Sequence, residues 1–280
     1  MSLSPGADLR RRIEKGTVVA AGAFMPFVAR MIEQAGYDAI YVSGAALSNS
    51  LARPDEGLLP CSRFLDFTRD ITDVVSLPVI VDVDTGFGGP KGTAQTVRLF
   101  DRARAAALQI EDQDPYYKRC GHLEGKRLIS PRRMADKIAA AVEARGDSDI
   151  VIIARTDARS VEGIDAAIER AQAYVEAGAD VVFPEAPESR EEFSQFRKAL
   201  SVPLLANMTE FGKTPWITDD EYAALGYGIV IHPVTAFRLT ARAVQEALVE
   251  MKRHGNQESL VRTGRLMPRG EIDAYLLSET

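Results

Sequence analysis

Asp82 and Asp84 stand two residues apart in the stretch VDVDTGFGG, at the end of an apolar run. On an extended strand that spacing sends both side chains to the same side. Two like charges held there repel unless protons or a cation compensate them. A divalent metal is the simplest compensation; the competing assignment is a hydrogen-bonded carboxylate pair. Glu111 and Asp112 close the next apolar run, with no histidine or cysteine nearby in sequence. An all-oxygen ligand set of this kind predicts Mg²⁺, or Mn²⁺, rather than zinc. Such a hard ion keeps water and uses one or two carboxylates directly, leaving positions for a substrate's oxygens. Gly86, Gly88 and Gly89 let backbone approach such a ligand but make no dinucleotide fingerprint.

A second group of reactive residues is Lys118-Arg119-Cys120-Gly121-His122. It lies in a stretch of roughly 18 residues without apolar periodicity, and connections this long are usually functional or disordered. A thiol flanked by Lys, Arg and His sits in a cationic field, which is expected to lower its pKa. Cys120 is therefore a candidate nucleophile or proton donor; the plainer alternative is a surface loop that happens to hold a thiol. Cys61 precedes a helix-periodic stretch (Phe64, Leu65, Phe67, Ile71) and is expected to be structural. Arg155, Arg238 and Arg265 are candidates for bidentate carboxylate recognition. Arg155 is the strongest because it ends an apolar run, where an unpaired charge is costly; the other two can equally be solvated. His232 also ends a run, as a catalyst or as a packed, hydrogen-bonded residue.

The elements that must carry these residues repeat. Short apolar, β-branched runs at 18–24, 39–43, 78–84, 107–111, 150–155, 180–185, 203–207 and 227–232 alternate with helix-periodic segments. Helices are predicted at 131–145, 163–177, 189–200, 218–225 and 235–253; Pro131 after Ser130 opens the first and Gly146 closes it. The runs are apolar on both faces, as for a parallel sheet covered by helices. Alternation of this kind without a linker predicts a single (β/α)8 barrel domain, with a short N-terminal helix and a C-terminal arm at about 256–280. A doubly wound open sheet is the alternative. In a barrel the run ends converge on one mouth, which would bring together Ser43, Asp82, Glu111, Arg155, Asp157, Glu185, Asn207, Thr209 and His232.

Composition agrees with this architecture and excludes other classes. The chain has 280 residues, 46% hydrophobic and 26% charged, which rules out a disordered or fibrous protein. The net charge of −6 offers no basic patch for nucleic acid. No apolar run approaches the roughly 18 to 20 residues of a membrane span, and no export signal is visible at the start. Two cysteines far apart suggest a reducing, cytoplasmic setting more than a disulfide framework.

The motifs YVSGAA, VDVDTGFGG, EDQ followed by KRCGHLEGKRL, ARTDA, FPEA and LANMTEFGKTP occur in this order. They resemble the isocitrate lyase and phosphoenolpyruvate mutase superfamily, and most closely its 2-methylisocitrate lyases. KRCGH is the most specific element, since the mutases and phosphonopyruvate hydrolases lack that cysteine. The resemblance implies a (β/α)8 barrel with its last helix exchanged between subunits and a homotetramer. It also implies Mg²⁺-dependent retro-aldol cleavage of 2-methylisocitrate, a small tricarboxylate, to pyruvate and succinate. By matching motif, Asp82 and Asp84 would hold the metal, with Glu111 supporting it through water. Ser43, Gly44 and Ala45 would contact the pyruvate part. Cys120 would protonate the succinate carbanion, flanked by Lys118 and His122, with Gly121 offering backbone to a carboxylate. Arg155, Glu185, Asn207, Thr209 and Arg238 would complete the substrate site, with Arg265 from the arm. The base stays open among Tyr41, Glu185, Asp55 and a metal-bound hydroxide. Phe183 and Ile231 could form an apolar niche for the substrate's methyl group. Alternative activities are a 2,3-dimethylmalate or other 2-alkylmalate lyase, an isocitrate lyase, and an oxaloacetate hydrolase or decarboxylase. A non-catalytic barrel is the alternative outside enzymes.

Overall fold

The computed structural model describes residues 3–277. Eight parallel strands run β1 (Val18–Ala23), β2 (Ala39–Val42), β3 (Val79–Asp82), β4 (Ala107–Glu111), β5 (Val151–Thr156), β6 (Val181–Pro184), β7 (Leu205–Asn207) and β8 (Ile229–His232). Their order in the sheet is β6-β5-β4-β3-β2-β1-β8-β7. A single parallel bridge between Val182 and Leu204 joins the two ends, with the Val182 N–H donating to the Pro203 carbonyl at 3.2 Å. The sheet is thereby a (β/α)8 barrel, and the open-sheet alternative is excluded.

Burial on both strand faces explains the apolar runs. Inward side chains, including Ala20, Tyr41, Ile80, Ile153, Phe183, Leu205 and Ile231, fill the barrel. Outward ones, including Val81, Leu108, Ile110 and Ile152, pack under the helices with Val97, Phe100, Met134 and Ile138. Gly22 is required where β1 meets the segment after β8, because a Cβ there would collide with the Pro233 backbone, 2.9 Å from its Cα. The helix Pro131–Arg145 starts as its residues predict: the Ser130 hydroxyl accepts from the Arg133 N–H at 3.3 Å. Thr218 and Glu221 form a capping box at the start of Asp219–Ala224.

Two short helices escape the periodicity reading, Gly44–Ser50 directly after β2 and Arg159–Glu162 after β5. Both are too short to show an apolar stripe. A further difference concerns β3, which stops at Asp82; Asp84 lies beyond it with φ +50°. The long helix Thr235–His254 has no buried residue, leaving Leu239 67% and Leu248 58% exposed. After it, Glu258–Arg262 and Arg269–Leu277 form the arm, and Tyr275 meets Phe27 edge-on at 5.6 Å. No helix among the described residues is long and apolar enough to cross a membrane.

Candidate active site

The carboxyl ends of the strands open into a cavity of about 460 Å³, lined among others by Ser43, Ala45, Asp82, Cys120, Gly121, Arg155, Glu185, Asn207, Thr209 and Arg238. β2 delivers the first of these. The Ser43 hydroxyl caps the helix Gly44–Ser50 by accepting from the Ala46 N–H at 3.2 Å, and the Gly44 N–H donates to Asp82 Oδ2 at 3.2 Å. Deeper on the same strand the Tyr41 hydroxyl donates to Gln109, whose amide donates to Asp82 Oδ1 at 3.2 Å. Burial, followed by the charge of Asp82, raises the Tyr41 pKa well above its ordinary value. Tyr41 is therefore a fixed donor, and the structure speaks against it as the base.

Asp82 and Asp84 do converge, but not through the strand pleat expected from their spacing. The left-handed turn at Asp84 swings its carboxylate back, so that Asp82 Oδ2 and Asp84 Oδ1 lie 2.9 and 3.4 Å from the point where a Gly44 Cβ would sit. Burial, then the neighbouring Asp84, pushes the Asp82 pKa up to about 6; burial likewise raises Asp84 and Glu111. Glu111 Oε1 is buried without a hydrogen-bond partner. Three buried carboxylates whose charged forms are disfavoured, one with an orphaned oxygen, fit a hard divalent cation. No three His, Cys, Asp or Glu side chains close around one point among the described residues. Asp82 and Asp84 are the carboxylates that would hold such an ion, with Glu111 at the end of the adjacent strand. Lys118 supplies part of the compensation, its ammonium lying 2.8 Å from Asp84 and 2.6 Å from Asp55.

That engagement overturns the expected acidity of Cys120. Lys118 is held by carboxylates, Arg119 donates to the Glu124 carbonyl at 3.1 Å, and His122 pairs with Glu185 at 2.9 Å. Burial raises the thiol's pKa, and the nearby Asp55 and Glu185 carboxylates add to it. At neutral pH the thiol is protonated, which suits a proton donor and not a nucleophile. His122 Nδ1 accepts from the Lys213 N–H at 3.1 Å, and Nε2 lies 2.9 Å from Glu185 Oε1. Gly121 lies so close to the floor that a Cβ would meet Arg155 and come within 2.6 Å of Glu185 Cγ.

Arg155, at the end of β5, is gripped by Asp157 through Nε at 2.9 Å and Nη2 at 3.1 Å. It also lies 3.5 Å from Glu111, 3.4 Å from Glu185 and over the Phe183 ring. Burial acts to raise the Asp157 pKa, but Arg155 and Lys126 outweigh it and hold the carboxyl below its ordinary range. Glu185 is likewise lowered: burial is outweighed by Arg155 and His122. Asn207 donates to Glu185 at 3.3 Å across the β6–β7 closure. Beneath Asp157, the buried Asp112 carboxylate accepts from Thr156 at 2.8 Å, Tyr174 at 2.8 Å and the Asp157 N–H at 2.9 Å.

Arg238 reaches the rim, donating to the Glu210 carbonyl at 3.0 Å. Arg265 does not line the cavity of this chain; it pairs at 2.6 Å with Glu250 of the helix Thr235–His254. His232 pairs with Asp219 at 2.9 Å and follows its packed alternative. Phe183 and Ile231 both face the cavity. The reading of residues missed Gln109 and Lys126. Gln109 precedes Glu111 by two, so strand alternation points it the same way. Lys126 carries no such signal.

Fold and cavity together define a (β/α)8-barrel enzyme whose mouth gathers carboxylates, an arginine and a protonated thiol. The family model described as phosphoenolpyruvate phosphomutase matches residues 9–252, and the chain belongs to that family. It is 55% identical over 258 residues to a 2-methylisocitrate lyase of Aeropyrum pernix, covering 92% of this chain and 83% of that one. Among solved structures, a 2,3-dimethylmalate lyase is 38% identical with a TM-score of 0.89, over 92% of this chain and 88% of that one. A phosphonopyruvate hydrolase in complex with oxalate and Mg²⁺ is 33% identical with a TM-score of 0.87, over 98% of this chain and 95% of that one. The chain is thus a carbon–carbon lyase of the isocitrate lyase and phosphoenolpyruvate mutase superfamily.

Proposed function

We propose that this lyase cleaves 2-methylisocitrate to pyruvate and succinate, with Mg²⁺ at Asp82 and Asp84 and Cys120 as general acid. The observation that carries the reading is a thiol kept protonated by burial above a cavity that pairs buried carboxylates with Arg155. The same donor set accepts Mn²⁺. When bound, the ion supplies Lewis-acid stabilisation of negative charge on the substrate's oxygens.

Arg155, Asn207, Thr209 and Arg238 bind the substrate's carboxylates, and the Gly121 backbone offers a further donor. Ser43, Gly44 and Ala45 hold the pyruvate part, while Phe183 and Ile231 border its methyl group. Glu185 takes the hydroxyl proton: it lines the cavity and is held ionised, with Arg155 3.4 Å from Oε2 and His122 2.9 Å from Oε1. The carbon–carbon bond then breaks, its electron pair stays on the succinate carbon, and the new carbonyl belongs to pyruvate. Cys120 protonates that carbon, and the proton left on Glu185 passes through solvent to the thiolate, so that both groups regain their starting states. Lys118 and His122 keep the loop in place through Asp55, Asp84 and Glu185.

The bare face of Thr235–His254 supports exchange of this helix between subunits and a homotetramer, which light scattering on the purified protein measures. A 2,3-dimethylmalate lyase is the second reading, favoured by the solved relative of that activity. Purified protein with Mg²⁺ should turn over 2-methylisocitrate faster than isocitrate, 2,3-dimethylmalate or oxaloacetate. Cys120→Ser should lose at least about 10³-fold in kcat while retaining substrate binding. Absence of methylisocitrate turnover in the unmodified protein sinks the first reading, and turnover of dimethylmalate in its place selects the second.

A further inference from the structure

Lys126 follows the thiol loop, and its side chain is 1% exposed. A buried ammonium is tolerable only where acceptors surround it. The two acceptors here belong to different parts of the site: the Gly121 carbonyl in the loop, and Asp157 Oδ1, 2.7 Å away, in the floor. Asp157 grips Arg155 with both oxygens, and its own N–H is fixed on Asp112. On its other side Gly121 abuts Arg155 and Glu185 so closely that no side chain fits. One ammonium therefore joins the peptide next to the thiol to the carboxylate that aims the arginine.

We propose that Lys126 is a positioning residue of the reaction: by tying the Gly121 carbonyl to Asp157 it keeps the Cys120 thiol and the Arg155 guanidinium in one fixed register across the mouth. The proposal rests on the lyase reading only in naming what the register serves. Without the tie, the floor keeps Arg155 on Asp157, while the loop retains its neutral contacts, such as the Gln113 amide on both the N–H and carbonyl of Arg119.

The test uses two variants in a Cys61→Ser background, so that Cys120 is the sole thiol. Lys126→Gln removes the charge. Lys126→Arg keeps a charge on Asp157, but a planar guanidinium does not reproduce a compact ammonium between two acceptors. In each, the rate of Cys120 alkylation by iodoacetamide, the melting temperature, and kcat and KM are measured. Expected for Lys126→Arg are an unchanged melting temperature, alkylation at least fivefold faster, kcat at least tenfold lower and KM within threefold. Lys126→Gln should accelerate alkylation at least as much; should it fail to fold, Lys126→Arg decides alone. Alkylation within twofold of the parent rate in folded Lys126→Arg overturns the proposal, as does a kcat within threefold of the parent. If the parent itself shows no methylisocitrate turnover, the methylisocitrate reading falls, and the alkylation comparison still decides on Lys126.

Discussion

Adding a single methyl group at Gly121 tests how closely the loop must approach the floor. In Gly121→Ala the new Cβ would stand 2.6 Å from Glu185 Cγ and 2.7 Å from Glu185 Cδ, and would also meet the Arg155 guanidinium. Ordinary carbon contacts need about 3.5 Å, so about 1 Å must be found. The floor cannot yield it: Arg155 is pinned by Asp157 at 2.9 and 3.1 Å, and Glu185 is held from the barrel by Asn207 at 3.3 Å. The loop must therefore lift by about 1 Å, carrying Cys120 with it. A displacement of that size in a reacting group costs about 100-fold in rate, or about 2.7 kcal/mol of transition-state stabilisation. Steady-state kinetics on 2-methylisocitrate should show this mainly in kcat. Thermal melting should stay within about 2 °C, because the strained contact is relieved by a loop outside the barrel core. A Gly121→Ala protein with kcat within threefold of the parent would refute the reasoning, because the loop would then work without close approach to Arg155 and Glu185.

Three further outcomes follow from the same geometry. Tyr174→Phe removes one of the donors to the buried Asp112 carboxylate and should cost about 2 kcal/mol of stability in urea unfolding, with no loss if that hydroxyl is idle. Asp157 is held below the ordinary carboxylate range, so its stabilising contribution is complete above about pH 4 and is lost as pH falls further. The stability gap between the parent and Asp157→Asn should be constant from pH 5 to 8 and shrink on acidification in denaturant melts; a gap that widens below about pH 4 contradicts this. Chelation with EDTA should abolish turnover, and Mg²⁺ at about 100 times its Kd should restore it while adding about 2.7 kcal/mol of stability. Turnover undiminished in EDTA would remove the metal from the mechanism.

The barrel is legible because a strand buried on both faces has to be apolar throughout, so that a polar residue such as Arg155 or Glu185 at its end stands out. The same logic points to Asp82 and Asn207, which line the cavity, and to Glu111, which ends β4 buried beneath it. What escaped depends on distant pairing. The raised pKa of Cys120 follows first from its burial and then from carboxylates such as Asp55, 63 residues from Lys118 in the chain, and adjacency in KRCGH says nothing of either. Asp84 was placed on the right side for the wrong reason, since a left-handed turn and not the pleat brings it round. Lys126 is invisible for a related reason: a lysine in a polar loop reads as solvated until its two acceptors are in view. Arg265 shows the opposite case, a charge that reads as available and is paired with Glu250 of the preceding helix.

The closure between β6 and β7 is one bridge, whereas β4 and β5 share five aligned residue pairs. Mechanically the barrel is a rolled sheet with a slit, and the slit runs beside Phe183 and Asn207, which both line the cavity. The wall that the proposed function gives to the substrate's methyl group is therefore the one held by the fewest strand pairings.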